Sequence, residues 1–287
     1  MSTRIFTVFG ATGSQGSSVI DAILADPHKT FTPRAISRSV SSDKSKALAA
    51  RGVEVVAADL FDKDAVRRAV RGSEVVFGVT NFWDPEVFPK DVKGSGEVVQ
   101  GRNLVEAAKE EGVRYFVWSS VPSITALTNG RYQHVYHCDT DPPVGAADKA
   151  LIATFLADAG VPHSVLHTGW FAENLWNFGS LVPAPSGGEG SGVYYPDPEI
   201  RFGGHADCDL GREVGVLGGV FEVVSMRFTY PEFAKAIEEG LKPRYEFQAQ
   251  YGLYTDTPHP NPKLVALGVK FGSMEEFIEQ EVVPRFA

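Results

Sequence analysis

Three glycines near the start of the chain are spaced in a way that could hold a phosphate group. Gly10 permits a tight turn, Gly13 lets the backbone approach a pyrophosphate, and Gly16 lets a helix pack closely on a strand. N–H groups at the helix start would then bind the phosphates, helped by the positive end of the helix dipole. The run predicts a dinucleotide site, and the alternative is a glycine-rich turn without a ligand. The predicted binding residues are Gly10, Thr12, Gly13, Ser14, Gln15 and Gly16.

Arg38 predicts which dinucleotide binds. An NAD site usually carries Asp or Glu at the end of the second strand, where it accepts hydrogen bonds from the ribose 2′-hydroxyl. Here that position reads Ser37-Arg38-Ser39, with Lys44 and Lys46 nearby. A guanidinium binds a 2′-phosphate through two parallel charged hydrogen bonds, whereas a carboxylate repels it. The sequence therefore favours NADP(H), with a solvated basic loop as the alternative.

Two further segments each follow a predicted strand. Asp59 and Leu60 could face the adenine ring, and Thr80, Asn81 and Phe82 could face the ribose and phosphates. Open α/β sheets bind ligands outside the carboxyl ends of their strands, which is where both segments fall. Either segment could equally be a helix cap or part of the core.

Lys149 stands near the start of a predicted helix and could take part in a reaction. Its ammonium could bind the nicotinamide ribose or donate a proton to a carbonyl, enone or imine that is being reduced. The hydride itself would come from the coenzyme. Ser119 or Ser120, at the end of the fifth predicted strand, could hydrogen-bond the substrate oxygen. The alternative is that Lys149 is a surface residue of an ordinary helix.

The elements that must position these residues alternate between strand and helix. Most strand candidates are nearly continuous apolar runs, as expected for parallel strands covered on both faces. Repeated strand-then-helix units predict right-handed crossovers and a doubly wound parallel α/β sheet. The strands are predicted over Arg4–Gly10, Pro33–Arg38, Val53–Asp59, Glu74–Thr80, Tyr115–Ser120 and Pro162–Thr168. The helices are predicted over Ser17–Ala25, Asp43–Arg51, Lys63–Val70, Gly96–Glu111 and Asp148–Ala159.

The pattern changes after Thr168. Gly179–Tyr195 is rich in Pro, Gly and Ser, which is typical of a loop, and a strand is predicted over Phe221–Ser225. We interpret residues 1–168 as a dinucleotide-binding domain and residues 169–287 as a small α/β substrate lobe built on the sheet edge. Aromatic residues near the junction, including Trp170 and Phe171, could bind a flat apolar substrate or could be core packing.

Composition excludes several classes of protein. The 287 residues include 36 acidic and 27 basic side chains, and the net charge of −9 disfavours direct binding of nucleic acid. Two cysteines suggest a reducing compartment, and the sequence suggests neither a secretory signal nor a membrane-spanning stretch. We expect a soluble cytoplasmic protein. A zinc site built from the Cys and His pairs is disfavoured by their spacing, and a serine hydrolase by the missing G-x-S-x-G.

Several motifs together resemble the NmrA-like branch of the atypical short-chain dehydrogenase/reductases. They are Gly10–Gly16, Thr80–Trp83, Gln100–Leu104, Phe116–Ser120, Tyr136-His137, Lys149 and Gly169–Asn174. The resemblance implies a Rossmann-type sheet with a small C-terminal lobe. The coenzyme contacts that it implies come from Gly10, Thr12, Gly13, Gln15, Gly16, Arg38, Asp59, Thr80, Asn81 and Lys149. The candidate substrate residues are Trp83, His137, Trp170, Phe171 and Asn174. Some members of this branch resemble reductases of small molecules, and others sense the NADPH to NADP⁺ balance and bind regulatory proteins.

Two departures from the pattern affect the functional prediction. Ordinary short-chain dehydrogenases carry a tyrosine proton donor four residues before the lysine, but here that residue is Gly145. The stretch between Gly211 and Phe221 is also shorter than in the family. This departure leaves the structure of the predicted substrate lobe undecided, or it indicates a segment absent from this numbering. We predict an NADPH-dependent reductase of an apolar carbonyl, enone or imine. The alternative is a non-catalytic NADP(H) redox sensor that acts through a protein partner.

Overall fold

The computed structural model describes residues 4–87, 96–123, 126, 129, 148–168, 170–171, 201–205, 220–223, 226–229, 262–266, 276 and 280. The chain divides into two compact units. The first contains residues 1–167 and 209–221, and the second contains residues 168–208 and 222–287. The residues discussed below as a site belong to the first unit.

The first unit is built on a parallel sheet. Its strands are β1 (Ile5–Val8), β2 (Thr32–Ser37), β3 (Glu54–Ala57), β4 (Ser73–Gly78), β5 (Tyr115–Ser120) and β6 (His163–Thr168), with β9 (Val220–Val223) next to β6. The order across the sheet is β3-β2-β1-β4-β5-β6-β9. Every neighbouring pair of strands from β3 to β6 is parallel, which confirms the predicted doubly wound sheet.

Helices connect these strands as predicted. They are α1 (Ser14–Ala25), α2 (Asp43–Ala50), α3 (Lys63–Val70), α4 (Gly96–Glu110) and α5 (Asp148–Ala159). Helices α2 and α4 each end one residue before the predicted end, and α1 begins at Ser14, three residues before the predicted Ser17. The reason is that the backbone of Gly13 is extended and its carbonyl already accepts a hydrogen bond from the Ser17 N–H at 2.9 Å.

The core between the sheet and its helices is apolar and tightly packed. Phe116, Trp118, Leu104, Ile152 and Leu156 are fully buried, and each side chain of this size contributes about 1.5–3 kcal/mol by leaving water. Helices α4 and α5 approach each other at Gly101, where a Cβ atom would overlap the side chain of Ile152. The Trp118 indole also donates to the backbone carbonyl of Lys149 at 2.8 Å, so core packing fixes the start of α5.

The second unit contains a three-stranded sheet of order β10-β8-β7. Its strands are β7 (Trp170–Phe171), β8 (Arg201–His205) and β10 (Met226–Thr229), and a short helix, α6, covers Pro262–Ala266. Strands β8 and β10 are antiparallel. Sequence reasoning missed both: β8 contains two adjacent glycines, which weaken strand propensity, and β10 directly follows the single strand that was predicted.

Among the residues that the structure describes, none of the helices combines the length and the apolar character that spanning a bilayer requires.

Candidate functional site

The candidate residues meet at one edge of the parallel sheet. Strand β1 lies between β2 and β4, so the connections leave it in opposite directions and open a crevice at the carboxyl ends of β1 and β4. The glycine turn follows β1, and the segment from Thr80 follows β4. Arg38, Asp59 and Ser120 stand at the ends of β2, β3 and β5. The topology therefore places the predicted segments of the first unit along the same edge.

Two glycines of the turn are required by the fold itself. Gly10 has a φ of +65°, a left-handed conformation that side chains disfavour, and a Cβ there would stand 2.8 Å from Val79 Cγ1. At Gly16 a Cβ would come closer than 3.0 Å to the backbone of Gly10 and Ala11. The turn is closed by the Gly13 N–H, which donates to Gly10 O at 2.9 Å.

Gly13 differs because the protein does not crowd it. Its φ of −97° suits any residue, and a Cβ would meet only Gly10 O at an ordinary 3.4 Å among the described atoms. It is the N-cap of α1, and as a glycine it offers no side chain to the free N–H groups of the first turn. That uncharged turn, Ser14 to Ser17, is thus open to an anion. The residues present fit the pyrophosphate of a dinucleotide.

Gln15 joins the start of α1 to the end of β5. Its Oε1 accepts a hydrogen bond from Ser119 Oγ at 2.5 Å, and Ser119 is buried. The neighbouring Ser120 is fully buried, and its hydroxyl donates to Val121 O at 3.3 Å. The predicted contact between Ser120 and a substrate oxygen stays a prediction.

Lys44 lies beside the turn, and Arg38 stands at the end of β2. The Lys44 ammonium donates to Thr12 O at 3.3 Å, which places a lysine of α2 against the glycine turn. The Arg38 side chain is 58% exposed, and its Nη1 pairs with Asp84 Oδ2 at 2.5 Å. Sequence reasoning named Arg38 and missed Asp84, because an acid four residues after Thr80 has no signature of its own.

The segment after β3 forms a turn that hydrogen bonds hold in place. The carboxylate of the exposed Asp59 accepts a hydrogen bond from the Phe61 N–H at 2.8 Å. The carbonyl of Leu60 accepts one from Asn103 Nδ2 at 2.8 Å, which ties the turn to α4. Asp59 does not cap the next helix, because the N-cap of α3 is Asp62, and a contact of Asp59 or Leu60 with adenine stays a prediction.

Thr80, Glu97 and Lys149 form a polar cluster at the end of β4. The Lys149 ammonium donates to Thr80 Oγ1 at 2.7 Å and to Thr80 O at 3.3 Å, and it also pairs with Glu97. The Thr80 hydroxyl donates to Glu97 Oε1 at 2.6 Å. The Lys149 side chain is 15% exposed and that of Glu97 only 2%. Lys149 is therefore no ordinary surface residue.

Glu97 was missed by sequence reasoning. It occupies the first turn of α4, where acidic residues are common because they favour the positive end of the helix dipole. A glutamate at this position looks like a solvated helix-start residue. Only the packing of α4 against β4 and α5 shows that its carboxylate is buried against Lys149.

The turn that follows Thr80 is held by α4. The Asn81 N–H donates to Gln100 Oε1 at 3.1 Å, and the Trp83 N–H donates to Asn81 Oδ1 at 3.2 Å. Phe82 is buried, and its ring packs edge-on to that of Trp83 with centroids 5.1 Å apart. Trp83 is 59% exposed. The turn thus combines a fixed backbone with an exposed indole.

The other substrate candidates do not belong to the described part of the first unit. Trp170 and Phe171 form β7 in the second unit. His137 and Asn174, together with Gly145, lie outside the described residues. Their predicted contacts stay predictions.

Comparison with known proteins gives a family match and several relatives. The NmrA-like family matches residues 2–199. The NmrA-like family domain-containing oxidoreductase cpsB of Aspergillus campestris is 31% identical, over 88% of this chain and 78% of that protein. Its counterpart malD of Malbranchea aurantiaca is 41% identical, over 45% of this chain and 38% of that protein. With malD, hkm9 of Aspergillus hancockii and lnaB of Aspergillus flavus, the match spans only 37 to 54% of the relative's length.

Solved structures share the fold at low sequence identity. NmrA, a negative transcriptional regulator crystallised with NAD, superposes with a TM-score of 0.69 at 16% identity, over 99% of this chain and 97% of that one. The triphenylmethane reductase of Citrobacter sp., crystallised with NADP(H), gives 0.65 at 17% identity, over 96% and 99%. These likenesses establish a Rossmann-like fold.

Proposed function

This chain belongs to the NmrA-like family, and from that premise we propose that it is an NADPH-dependent reductase of an apolar carbonyl, enone or imine. The observation that carries the proposal is the bare start of α1 beside a basic group. Gly13 leaves the helix N-terminus open although the fold does not need a glycine there, and Arg38 stands at the end of the next strand. Relatives described as oxidoreductases support the same reading.

Each part of the coenzyme has residues that would hold it. The turn from Gly10 to Gly16 would bind the pyrophosphate through backbone N–H groups. Arg38 would bind the 2′-phosphate, and Lys44 stands near enough to the turn to add a second positive charge. Thr80 and Asn81, with Lys149, would face the ribose next to the nicotinamide.

When bound, the reduced coenzyme supplies a hydride to the electrophilic carbon of the substrate. The substrate heteroatom must then take up one proton to complete the two-electron reduction. Among the residues that the structure describes, Lys149 is suited to position that proton. Thr80 and Glu97 hold its ammonium at the crevice, and 15% of its side chain is exposed. Trp83 offers an exposed aromatic face to an apolar substrate.

One observation favours the sensor alternative. All three N–H directions of the Lys149 ammonium have acceptors in Thr80 Oγ1, Thr80 O and Glu97 Oε1. A lysine so fully paired suits a structural role, and Gly145 stands where related enzymes carry a tyrosine. In this reading, coenzyme occupancy alters a surface that a regulatory protein binds.

Turnover measurements separate the two functions. The reductase should consume NADPH in the presence of at least one member of a panel of apolar carbonyls, quinones and imines. The double variant Glu97→Gln/Lys149→Met, which leaves no charge at this cluster, should still fold and bind NADPH through the glycine turn and Arg38, although more weakly, but lose that turnover. Tight NADPH binding without turnover of any panel member, together with capture of a protein partner, would support the sensor instead.

The coenzyme assignment has its own test. Arg38→Asp should weaken binding of NADP⁺ much more than binding of NAD⁺, by roughly a few kcal/mol, because a charge-assisted contact becomes a repulsive one. Isothermal titration with both coenzymes measures this directly. Equal changes in the two affinities would show that Arg38 does not meet the 2′-phosphate.

A further inference from the structure

The guanidinium assigned to the 2′-phosphate already has an anionic partner. Arg38 Nη1 lies 2.5 Å from Asp84 Oδ2. The two side chains differ in freedom: that of Asp84 is 7% exposed, whereas that of Arg38 is 58% exposed. The second oxygen of Asp84 accepts a hydrogen bond from the Glu86 N–H at 3.0 Å. Asp84 is therefore fixed in its turn, and Arg38 is the partner that can move.

Asp84 is also held by its own backbone. Its N–H donates to Asn81 O at 3.2 Å, and its carbonyl accepts from the Val87 N–H at 2.8 Å. The turn is anchored to α4 through Asn81 and Gln100. The carboxylate is thus held in place by its own turn whether or not Arg38 contacts it.

A 2′-phosphate and Asp84 compete for one cation. If both bound Arg38, a carboxylate and a phosphate would lie close together on a single guanidinium, and their mutual repulsion would oppose binding. Only a coenzyme that carries the phosphate meets this opposition. A coenzyme with a free 2′-hydroxyl leaves the ion pair intact.

We propose that Asp84 sets the coenzyme selectivity of this chain, because it holds Arg38 and must give it up, in whole or in part, when a 2′-phosphate binds. The proposal rests on the proposed coenzyme site. It makes Asp84 a specificity-determining residue that lowers the preference for NADP(H) over NAD(H) below what Arg38 alone would produce. It also gives a role to a buried acid in the turn after β4 that pairs with an exposed arginine after β2.

The test is a titration of NADP⁺ and NAD⁺ into the full chain and into Asp84→Asn. The amide is isosteric and can still accept the Glu86 N–H, so the turn should keep its shape. We expect Asp84→Asn to bind NADP⁺ about tenfold more tightly, and to bind NAD⁺ within about twofold of the unaltered protein. In an Arg38→Ala background the gain for NADP⁺ should be clearly smaller, because there is then no cation to release.

Asp21→Asn is the matched control. Asp21 forms an equally short ion pair with Arg51 on the surface, at 2.5 Å, with 57% and 45% of the side chains exposed. It should change neither affinity. Thermal unfolding without coenzyme checks that each variant is folded, and Asp84→Ala provides a second variant that also removes the anion.

The outcomes are separable. If both coenzymes bind and Asp84→Asn weakens NADP⁺ binding or leaves the affinity ratio unchanged, Asp84 orients Arg38 or ignores it, and this inference is wrong. The proposed function then stands. If the unaltered protein binds neither coenzyme, both are overturned.

Discussion

Removing the Lys149 charge should destabilise the protein far more than removing a surface charge. Lys149→Met leaves the Glu97 carboxylate, which is 2% exposed, with the Thr80 hydroxyl but without its cation. Breaking a buried ion pair from one side costs about 3–5 kcal/mol. We therefore expect a loss of about 3–5 kcal/mol in the free energy of unfolding.

A second change should recover most of that loss. Glu97→Gln combined with Lys149→Met leaves no charge at the cluster, and the glutamine oxygen can still accept the Thr80 hydroxyl. The double variant should lie within about 1–2 kcal/mol of the unaltered protein, because replacing a whole buried pair is far less costly than breaking it. The two substitutions should therefore be strongly non-additive.

Urea denaturation followed by circular dichroism measures these energies. Arg51→Met is the control, since its exposed pair with Asp21 should contribute less than about 1 kcal/mol. If Lys149→Met costs no more than Arg51→Met, or if the double variant is additive, the cluster is not a buried ion pair.

Other substitutions test the turn, the helix contact and a capped loop. Gly16→Ala should lower the free energy of unfolding by more than about 2 kcal/mol, because its Cβ meets backbone. Gly13→Ala should lower it by less than about 1 kcal/mol and yet abolish NADP⁺ binding, as measured by calorimetry. Equal effects of the two substitutions would refute this distinction. Gly101→Ala should lower the free energy of unfolding by about 1–3 kcal/mol, because the new Cβ overlaps Ile152, and an unchanged urea midpoint would contradict this packing. Hydrogen bonds from the loop after α1, first among them the Thr30 N–H, lower the pKa of Asp26 from 3.8 to about 2. That stabilisation is present above about pH 4 and is lost as the pH falls toward 2. Asp26→Ala should therefore lower the melting temperature at neutral pH, and the melting temperatures of the two proteins should converge near pH 2. A difference in melting temperature that stays constant with pH would exclude this role.

Local features were predictable because local sequence encodes them. A few adjacent residues encode each part of the glycine turn: the strand before it, the glycine at φ +65° and the helix after it. The turn and the parallel sheet were therefore predicted correctly. The observed start of α1 differs from the predicted start because the extended backbone of Gly13 decides where the helix begins. In the second unit, β8 was missed because its glycines conceal a strand that pairing with β10 supports.

The sequence by itself determined the fold class, the glycine turn and the identities of Arg38, Thr80 and Lys149 as separate candidates. Tertiary structure alone decided their partners. Nothing in a local pattern says which of 36 acidic residues will face a given cation. Lys149 meets Glu97 from 52 residues away, and Arg38 meets Asp84 from 46, because parallel strands bring distant segments to one edge. Burial then makes the pairing of Lys149 with Glu97 a strong interaction, since charges that have lost their water depend on the partner that packing provides.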